Sequence, residues 1–167
     1  RLPGKVLKEI TGKSVIELLL TRLSNSNYIT EICVATSDSK EDDILCSVLE
    51  ELGYSFYRGS ETNVLKRYYD TAVKFKADVI VRITGDCPLV EPSIVDTVIK
   101  HYLDYQVDYV SNSNPPTFPD GLDVELINLN KLEMSQKISK SKDNKEHVTF
   151  FVRNSKLFKK YNYKNYG

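Results

Sequence analysis

Asp86 is the residue of this chain whose neighbours best suit chemistry. It follows Gly85, which lets a backbone approach a ligand closely, and it comes just before Cys87-Pro88, where the proline fixes the turn. Mg²⁺ prefers oxygen ligands and is usually completed by substrate phosphates and water, so a lone carboxylate at such a point can hold it. We therefore predict that Asp86 is a metal ligand, with helix capping as the alternative role.

A short basic segment, Arg1-Leu-Pro-Gly-Lys5, begins the sequence. A triphosphate is densely anionic, and Arg and Lys side chains beside a bent backbone can neutralise it while backbone amides point towards it. The alternative is a solvated surface loop. Because the formal net charge of the chain is +0, an anionic ligand would need a local basic site of this kind.

Three acidic residues, Asp120, Asp123 and Glu125, cluster at the end of a turn-rich segment, 112–121, that contains three prolines. Carboxylates are good acceptors for the hydroxyl groups of a sugar. A solvated turn would need the same kinds of residue. The cluster is therefore a candidate sugar contact, and a part in metal binding is its lesser alternative.

His147 and Arg153 fall on neighbouring faces of one predicted helix. An arginine can bind a carboxylate or a phosphate through two parallel hydrogen bonds. A surface ion pair with Glu146 is the alternative. We include both residues among the candidate sugar-binding groups.

Alternating strands and helices must position these residues. Apolar periodicity and capping residues predict helices, in chain order, at 13–26, 39–53, 63–73, 92–103, 131–138 and 144–154. Runs of β-branched and apolar residues predict strands at 30–36, 54–57, 78–83, 108–111 and 123–128. This order is typical of an α/β protein with a mostly parallel, doubly wound sheet and helices on both faces, in which ligands bind at the carboxyl ends of the strands.

Composition and charge exclude several classes of function. The apolar fraction of 41% and the charged fraction of 28% are those of an ordinary soluble protein, and we expect no membrane partner. The balanced charge gives no global field for nucleic acid, so we expect no nucleic-acid partner. The three cysteines lack a Cys-x-x-Cys pair, which argues against a zinc site or a disulfide framework and favours a reducing cytoplasm.

Four segments, taken together in this order and spacing, resemble a known family. They are Arg1-Leu-Pro-Gly-Lys5, Arg82-Ile-Thr-Gly-Asp-Cys-Pro-Leu89, Phe118-Pro-Asp-Gly-Leu-Asp-Val-Glu125, and Glu146-His-Val-Thr149 with Arg153. This set is similar to the cytidylyltransferases that act on acylneuraminate and 3-deoxy-manno-octulosonate, and most of all to the branch named for spore coat polysaccharide biosynthesis protein F. The resemblance covers nearly the whole chain and implies a Rossmann-like, nucleotide-diphospho-sugar transferase fold.

The resemblance also implies roles for individual residues. Arg1 and Lys5 would contact the triphosphate, and Asp86 would hold Mg²⁺. The nucleotide would be completed by residues at strand ends, where the family places base and ribose: Ser37, Asp38, Arg58, Ser60 and Gly85. The acceptor sugar would meet Asp120, Asp123, Glu125, His147 and Arg153. Lys5 and Asp86 are the candidate catalytic residues.

The reaction implied by the resemblance couples CTP to a sugar or sugar acid, with release of pyrophosphate, for surface or spore-coat polysaccharide synthesis. A homodimer is one candidate assembly, since relatives are commonly dimers. The alternatives are a glycosyltransferase that uses a finished nucleotide-sugar, which usually places its metal with an Asp-x-Asp motif, and a non-catalytic nucleotide-binding module.

We expect residues 1–167 to form one nucleotidyltransferase domain. In the family, a strand ending in Ala-Arg-x-x-Ser-x precedes the basic segment, and a second metal-binding acid comes from a later Val-Asp-Thr-x-x-Asp-like segment. Neither is found here, so we expect the numbered chain to lack the first strand and the C-terminal end of that domain.

Overall fold

A computed structural model describes residues 4–165 of the chain, so Arg1 lies outside the described residues. The α-helices within that range are α1 (Val15–Leu23), α2 (Asp43–Glu51), α3 (Val64–Lys74), α4 (Pro92–Tyr105), α5 (Leu129–Ile138), α6 (Lys142–Glu146) and α7 (Phe150–Asn154). Short 3-10 helices add Lys5–Leu7 and Lys40–Asp42. No helix within residues 4–165 has the length and apolar character needed to cross a bilayer.

The strands are β1 (Glu9–Ile10), β2 (Lys13–Ser14), β3 (Cys33–Ser37), β4 (Ser55–Gly59), β5 (Val79–Arg82), β6 (Tyr109–Ser111), β7 (Glu125–Asn128) and β8 (Lys160–Asn162). Strands β3 and β4 pair in parallel. A four-stranded sheet has the order β5-β7-β6-β8, in which β7 is antiparallel to both of its neighbours and β6 is parallel to β8. Three of its four strands therefore run in one direction, and β7 runs in the opposite direction.

Successive residues of a strand point to opposite sides of the sheet. In β6 and β7 apolar residues lie on both sides, and helices cover both faces of the sheet. On β6, Tyr109 belongs to a core cluster with residues of α3, α5 and α7, whereas Val110 belongs to the cluster formed with α1, α2 and α4. On β7, Ile127 and Leu126 divide in the same way. The predicted α/β class with helices on both faces is confirmed.

Three local features differ from the sequence expectation, and one of them is strand β8, which follows the last predicted element and pairs in parallel with β6. The hairpin of β1 and β2 was not expected, and its turn consists of Thr11 (φ 52°) and Gly12 (φ 82°), both in the left-handed region. The helix predicted over 144–154 is wrong, because α6 ends at Glu146 and α7 starts at Phe150. Thr149, between them, is buried beside the core residue Val148, and its hydroxyl group donates to Glu125, a distant contact that no local pattern reveals.

Candidate active site

A cavity of about 390 Å³ opens where β5 ends. Its walls come from three separate parts of the chain, namely the 3-10 helix near the N-terminus, the loop after β5 and the loop before β7. The lining residues are Lys5, Thr84, Asp86, Cys87, Pro88, Leu89, Asp120, Gly121 and Asp123.

The reversed direction of β7 explains why two distant loops meet here. Arg82, the last residue of β5, pairs with Glu125, the first residue of β7. Because the strands are antiparallel, the loop that leaves β5 and the loop that enters β7 lie at the same edge of the sheet. The cavity lies at the carboxyl end of β5, where the sequence analysis predicted a site, and residues 120–123 form its second wall.

An ion pair joins Lys5 to Asp86 in this cavity, with 2.5 Å between Nζ and the carboxylate oxygen Oδ2. Both side chains remain accessible, at 49% and 40% exposure. The hydrogen bond from Lys5 holds the pKa of Asp86 below its usual value, and the same bond raises the pKa of Lys5. Asp86 is therefore an ionised carboxylate that faces the cavity, and solvent can reach both it and its partner Lys5.

Asp86 does not cap a helix. The next helix, α4, begins at Pro92 with Glu91 at the N-cap position, so Asp86 lies in the turn that precedes it. Within residues 4–165, no three His, Cys, Asp or Glu side chains are grouped closely enough to hold a metal ion by themselves. An accessible lone carboxylate fits Mg²⁺ but not zinc, since Mg²⁺ is commonly held by one or two carboxylates together with phosphates and water.

The opposite wall of the cavity is acidic. Asp120 is exposed and accepts a hydrogen bond from the backbone N–H of Gly121, whose φ of +88° only glycine adopts readily. Asp123 is half-buried, and burial together with the charges of Asp120 and Glu125 raises the pKa of its carboxyl group. Carboxylates that repel one another here are suited to accept hydrogen bonds from neutral hydroxyl groups.

Glu125 is placed differently from its two neighbours in the acidic cluster. It is only 4% exposed, and its carboxylate contacts Arg82 of β5 through a short hydrogen bond. Its other oxygen, Oε1, accepts hydrogen bonds from the hydroxyl groups of Tyr109 (2.5 Å) and Thr149 (2.6 Å). Burial opposes its ionisation, but Arg82 and these hydroxyl donors lower the pKa of Glu125 below its usual value.

His147 and Arg153 lie on either side of the break between α6 and α7. His147 is exposed at the C-terminal end of α6, and its ring lies 6.4 Å from that of Phe150. The Arg153 side chain is 31% exposed, and its Nε lies 3.9 Å from Oε1 of Glu125. Neither residue lines the cavity at Asp86, although the charge of Arg153 acts on the Asp123 carboxyl group that does.

The residues predicted to contact the nucleobase occupy the ends of the neighbouring strands β3 and β4. Ser37 is buried, and its hydroxyl group and backbone N–H both donate to Asp42. Arg58 donates to the carbonyls of Ser37 and Ser39 and forms an ion pair with Asp43 at 2.7 Å.

Two further residues of that predicted set have less constrained side chains. Asp38 is exposed, and its N–H donates to the carbonyl of Gly59. The Ser60 hydroxyl group accepts a hydrogen bond from the N–H of Asn63. Ser37, Asp38, Arg58 and Ser60 do not line the cavity at Asp86. Their contacts are with residues of the same two strand ends, so nucleobase binding there stays a prediction.

Other lining residues were not singled out in the sequence. The Thr84 hydroxyl lies 2.9 Å from the Cys87 sulfur, and a hydrogen bond from Thr84 also helps to lower the pKa of Asp86. Leu89 is 71% exposed at the cavity wall, which is unusual for a large apolar side chain. Thr84 and Leu89 belong to the same motif as Asp86. Their place in that motif is the signal that could have identified them.

A family model described as cytidylyltransferase matches residues 1–166. The chain belongs to this family. It is 35% identical over 159 residues to spore coat polysaccharide biosynthesis protein SpsF of Bacillus subtilis, an alignment that covers 92% of the chain and 65% of that protein. It is 32% identical over 101 residues to the 3-deoxy-manno-octulosonate cytidylyltransferase of Geobacter metallireducens, covering 59% of the chain and 38% of that protein.

A solved structure confirms the expected fold. A cytidylyltransferase from Leptospira borgpetersenii superposes with a TM-score of 0.94 at 31% identity, covering 99% of this chain and 71% of that one. The chain thus spans about two thirds of the spore coat polysaccharide biosynthesis protein and somewhat more of the solved cytidylyltransferase. The family resemblance drawn from the four sequence segments is confirmed.

Proposed function

We propose that this cytidylyltransferase-family protein couples CTP to a sugar or sugar acid for polysaccharide synthesis. A hydroxyl oxygen of the acceptor attacks the α-phosphorus of CTP. The new oxygen–phosphorus bond forms as the bond to the β-phosphate oxygen breaks, pyrophosphate leaves, and the hydroxyl proton passes to water. The observation that supports this best is the accessible Lys5–Asp86 pair in a cavity at the end of β5, in a chain of this family.

The nucleotide end of the site is served by Lys5 and Asp86. Lys5 stabilises the negative charge that develops on the leaving pyrophosphate, and Arg1 is proposed to add a second positive charge. Asp86 would hold Mg²⁺ through its carboxylate oxygens, and Mg²⁺ bound there would polarise the phosphoryl group. Little covalent chemistry is needed from the protein, because positioning and charge neutralisation supply most of the catalysis of phosphoryl transfer.

The acceptor end is served by the acidic wall and the α6–α7 region. Asp120 and Asp123 accept hydrogen bonds from sugar hydroxyl groups, which orients one of them towards the phosphorus. Arg153 offers a guanidinium group for a carboxylate of a sugar acid, and His147 is proposed to contact the same ligand. The nucleobase is proposed to meet the β3 and β4 ends, where Asp38 presents the most exposed side chain of the predicted set.

We further propose that the protein acts in a reducing cytoplasm, because Cys33, Cys46 and Cys87 are all unpaired. The proposed partners are small molecules, and a homodimer is the proposed assembly. A glycosyltransferase would release a nucleoside diphosphate or monophosphate from a nucleotide-sugar instead of pyrophosphate from a triphosphate, so the product distinguishes the two functions.

Pyrophosphate release provides the test. The protein is incubated with Mg²⁺, one of the four nucleoside triphosphates and a panel of sugars and sugar acids. We expect release with CTP and one class of acceptor, and Asp86→Asn should lower kcat/KM by about 100-fold or more because the metal-holding charge is lost.

Asp104→Asn is the matched control, since Asp104 is an exposed acid on α4 outside the cavity. It should retain the wild-type rate. The proposal is wrong if no triphosphate yields pyrophosphate with any acceptor, or if Asp86→Asn is as active as Asp104→Asn.

A further inference from the structure

The carboxylate of Glu125 is already fully engaged inside the protein. One oxygen contacts Arg82, and the other accepts two hydroxyl groups, from Tyr109 and Thr149. With 4% of its surface exposed, Glu125 has no room to accept a further hydroxyl group from a ligand. A direct contact between Glu125 and the acceptor sugar is therefore not what this geometry favours.

The two hydroxyl donors to Oε1 come from different parts of the fold. Tyr109 belongs to β6, in the interior of the sheet. Thr149 occupies the N-cap position of α7, and its carbonyl accepts a hydrogen bond from the N–H of Arg153 one turn later. The Thr149 side chain therefore ties the start of α7 to the sheet, and α7 carries Arg153.

Arg153 lies near Glu125 but does not form a hydrogen bond with it. Its Nε lies 3.9 Å from Oε1, an electrostatic contact too long for a hydrogen bond. Its ion pair with Glu125 at 3.9 Å is therefore looser than that of Arg82, whose guanidinium donates a short hydrogen bond to the same carboxylate. Its five N–H donors lie at a partly exposed position, and its charge reaches Asp123 on the cavity wall.

We propose that Glu125 is a positioning residue, which through Thr149 fixes the start of α7 and so directs the Arg153 guanidinium towards an anionic group of the acceptor. The inference rests on the proposed function and deepens it, because it names the buried contacts that would hold Arg153 in place for an anionic acceptor. It also replaces the predicted sugar contact of Glu125 with an indirect role.

Two variants separate positioning from general structure. Thr149→Val and Tyr109→Phe each remove one hydroxyl donor from the same oxygen of Glu125, at nearly equal bond lengths of 2.6 and 2.5 Å. Only Thr149 belongs to the segment that carries Arg153. We expect Thr149→Val to raise KM for an anionic acceptor about tenfold while KM for CTP changes by less than about twofold.

Tyr109→Phe should leave the acceptor KM within about threefold of the wild type. If the two variants change it equally, or if neither changes it, Glu125 has only a structural role and the inference is wrong. A wild-type enzyme that prefers an uncharged acceptor would also overturn it, while leaving the proposed nucleotidyl transfer intact.

Hydrogen exchange gives a measurement that does not depend on turnover. The amides of Phe150 and Arg153 donate to the carbonyls of His147 and Thr149 at the start of α7. In Thr149→Val both should exchange at least about fivefold faster than in Tyr109→Phe, because only the former frees this end of the helix. Equal rates would contradict the positioning role even if wild-type activity proved absent.

Discussion

Replacing Glu125 by Gln removes the negative charge from a buried network and leaves its shape almost unchanged. Arg82, whose side chain is 22% exposed, would lose its ionic partner. Its Nε is a buried donor with no hydrogen-bond partner among residues 4–165, and the guanidinium would keep its contact with the Tyr68 ring, 5.9 Å from the ring centroid, but no ionic partner at hydrogen-bond distance. The variant therefore tests whether this pair stabilises the sheet where β5 and β7 meet.

The expected loss is large because the charge left behind is mostly buried. Removing one partner of a buried ion pair costs about 3–5 kcal/mol, and the remaining exposure of Arg82 places the loss near the lower end, at about 3 kcal/mol. For a domain of this size each kcal/mol shifts the melting temperature by about 2–4 °C, so Glu125→Gln should melt roughly 6–12 °C below the wild type.

Differential scanning calorimetry at neutral pH is the measurement. Glu133→Gln is the matched control, since Glu133 forms an exposed ion pair with Lys137 on α5 and should shift the melting temperature by about 1 °C or less. The double variant Arg82→Met with Glu125→Gln should regain much of the loss, because the orphaned charge is then gone. A Glu125→Gln melting temperature within about 2 °C of the wild type would refute the reasoning.

The remaining predictions concern pH and the metal-binding end of the cavity. Because the folded pKa of Glu125 lies below its ordinary 4.5, its contribution to stability is present above that pH and is lost as the pH falls through the folded value. Thermal melts at pH values from about 6 down to about 3 should therefore show a steeper loss for the wild type than for Glu125→Gln, and parallel curves would count against the network. Lys5→Ala frees Asp86 from its ion pair, so calorimetric titration should show affinity for Mn²⁺ alone rising by up to about fivefold while affinity for CTP with metal falls. Unchanged values for both ligands would mean that Lys5 neither competes with the cation nor contacts phosphate.

The position of Lys5 and Asp86, the proposed nucleotide end of the site, was predictable from sequence because its signals are local. Asp86 lies in a short motif between a β-branched strand and a helix that begins at Pro92, so its place at the end of β5 follows from neighbouring residues. Lys5 was identified by its own basic segment, and the structure brings it to Asp86 across 81 positions. The order of elements from α1 to α5 likewise followed from hydrophobic periodicity.

The acceptor end was less predictable because its contacts are distant in sequence. An acid in a polar segment is ordinarily exposed, and the burial of Glu125 depends on Arg82, 43 positions away. The break after α6 depends on the bond between Thr149 and Glu125, 24 positions apart, whereas local periodicity favours a continuous helix. The reversed direction of β7 likewise has no signature in its own residues.

That reversal has a consequence for how the family can diversify. Strand β7 is fixed on both sides by its pairing with β5 and β6, so its first residue stays in place whatever the length of the segment that leads into it. Insertions or deletions between residues 112 and 121 would reshape the far wall of the cavity without displacing the turn that holds Asp86. If the proposed function holds, remodelling this one surface loop would accommodate new sugars while the proposed chemistry at the phosphates is left unchanged.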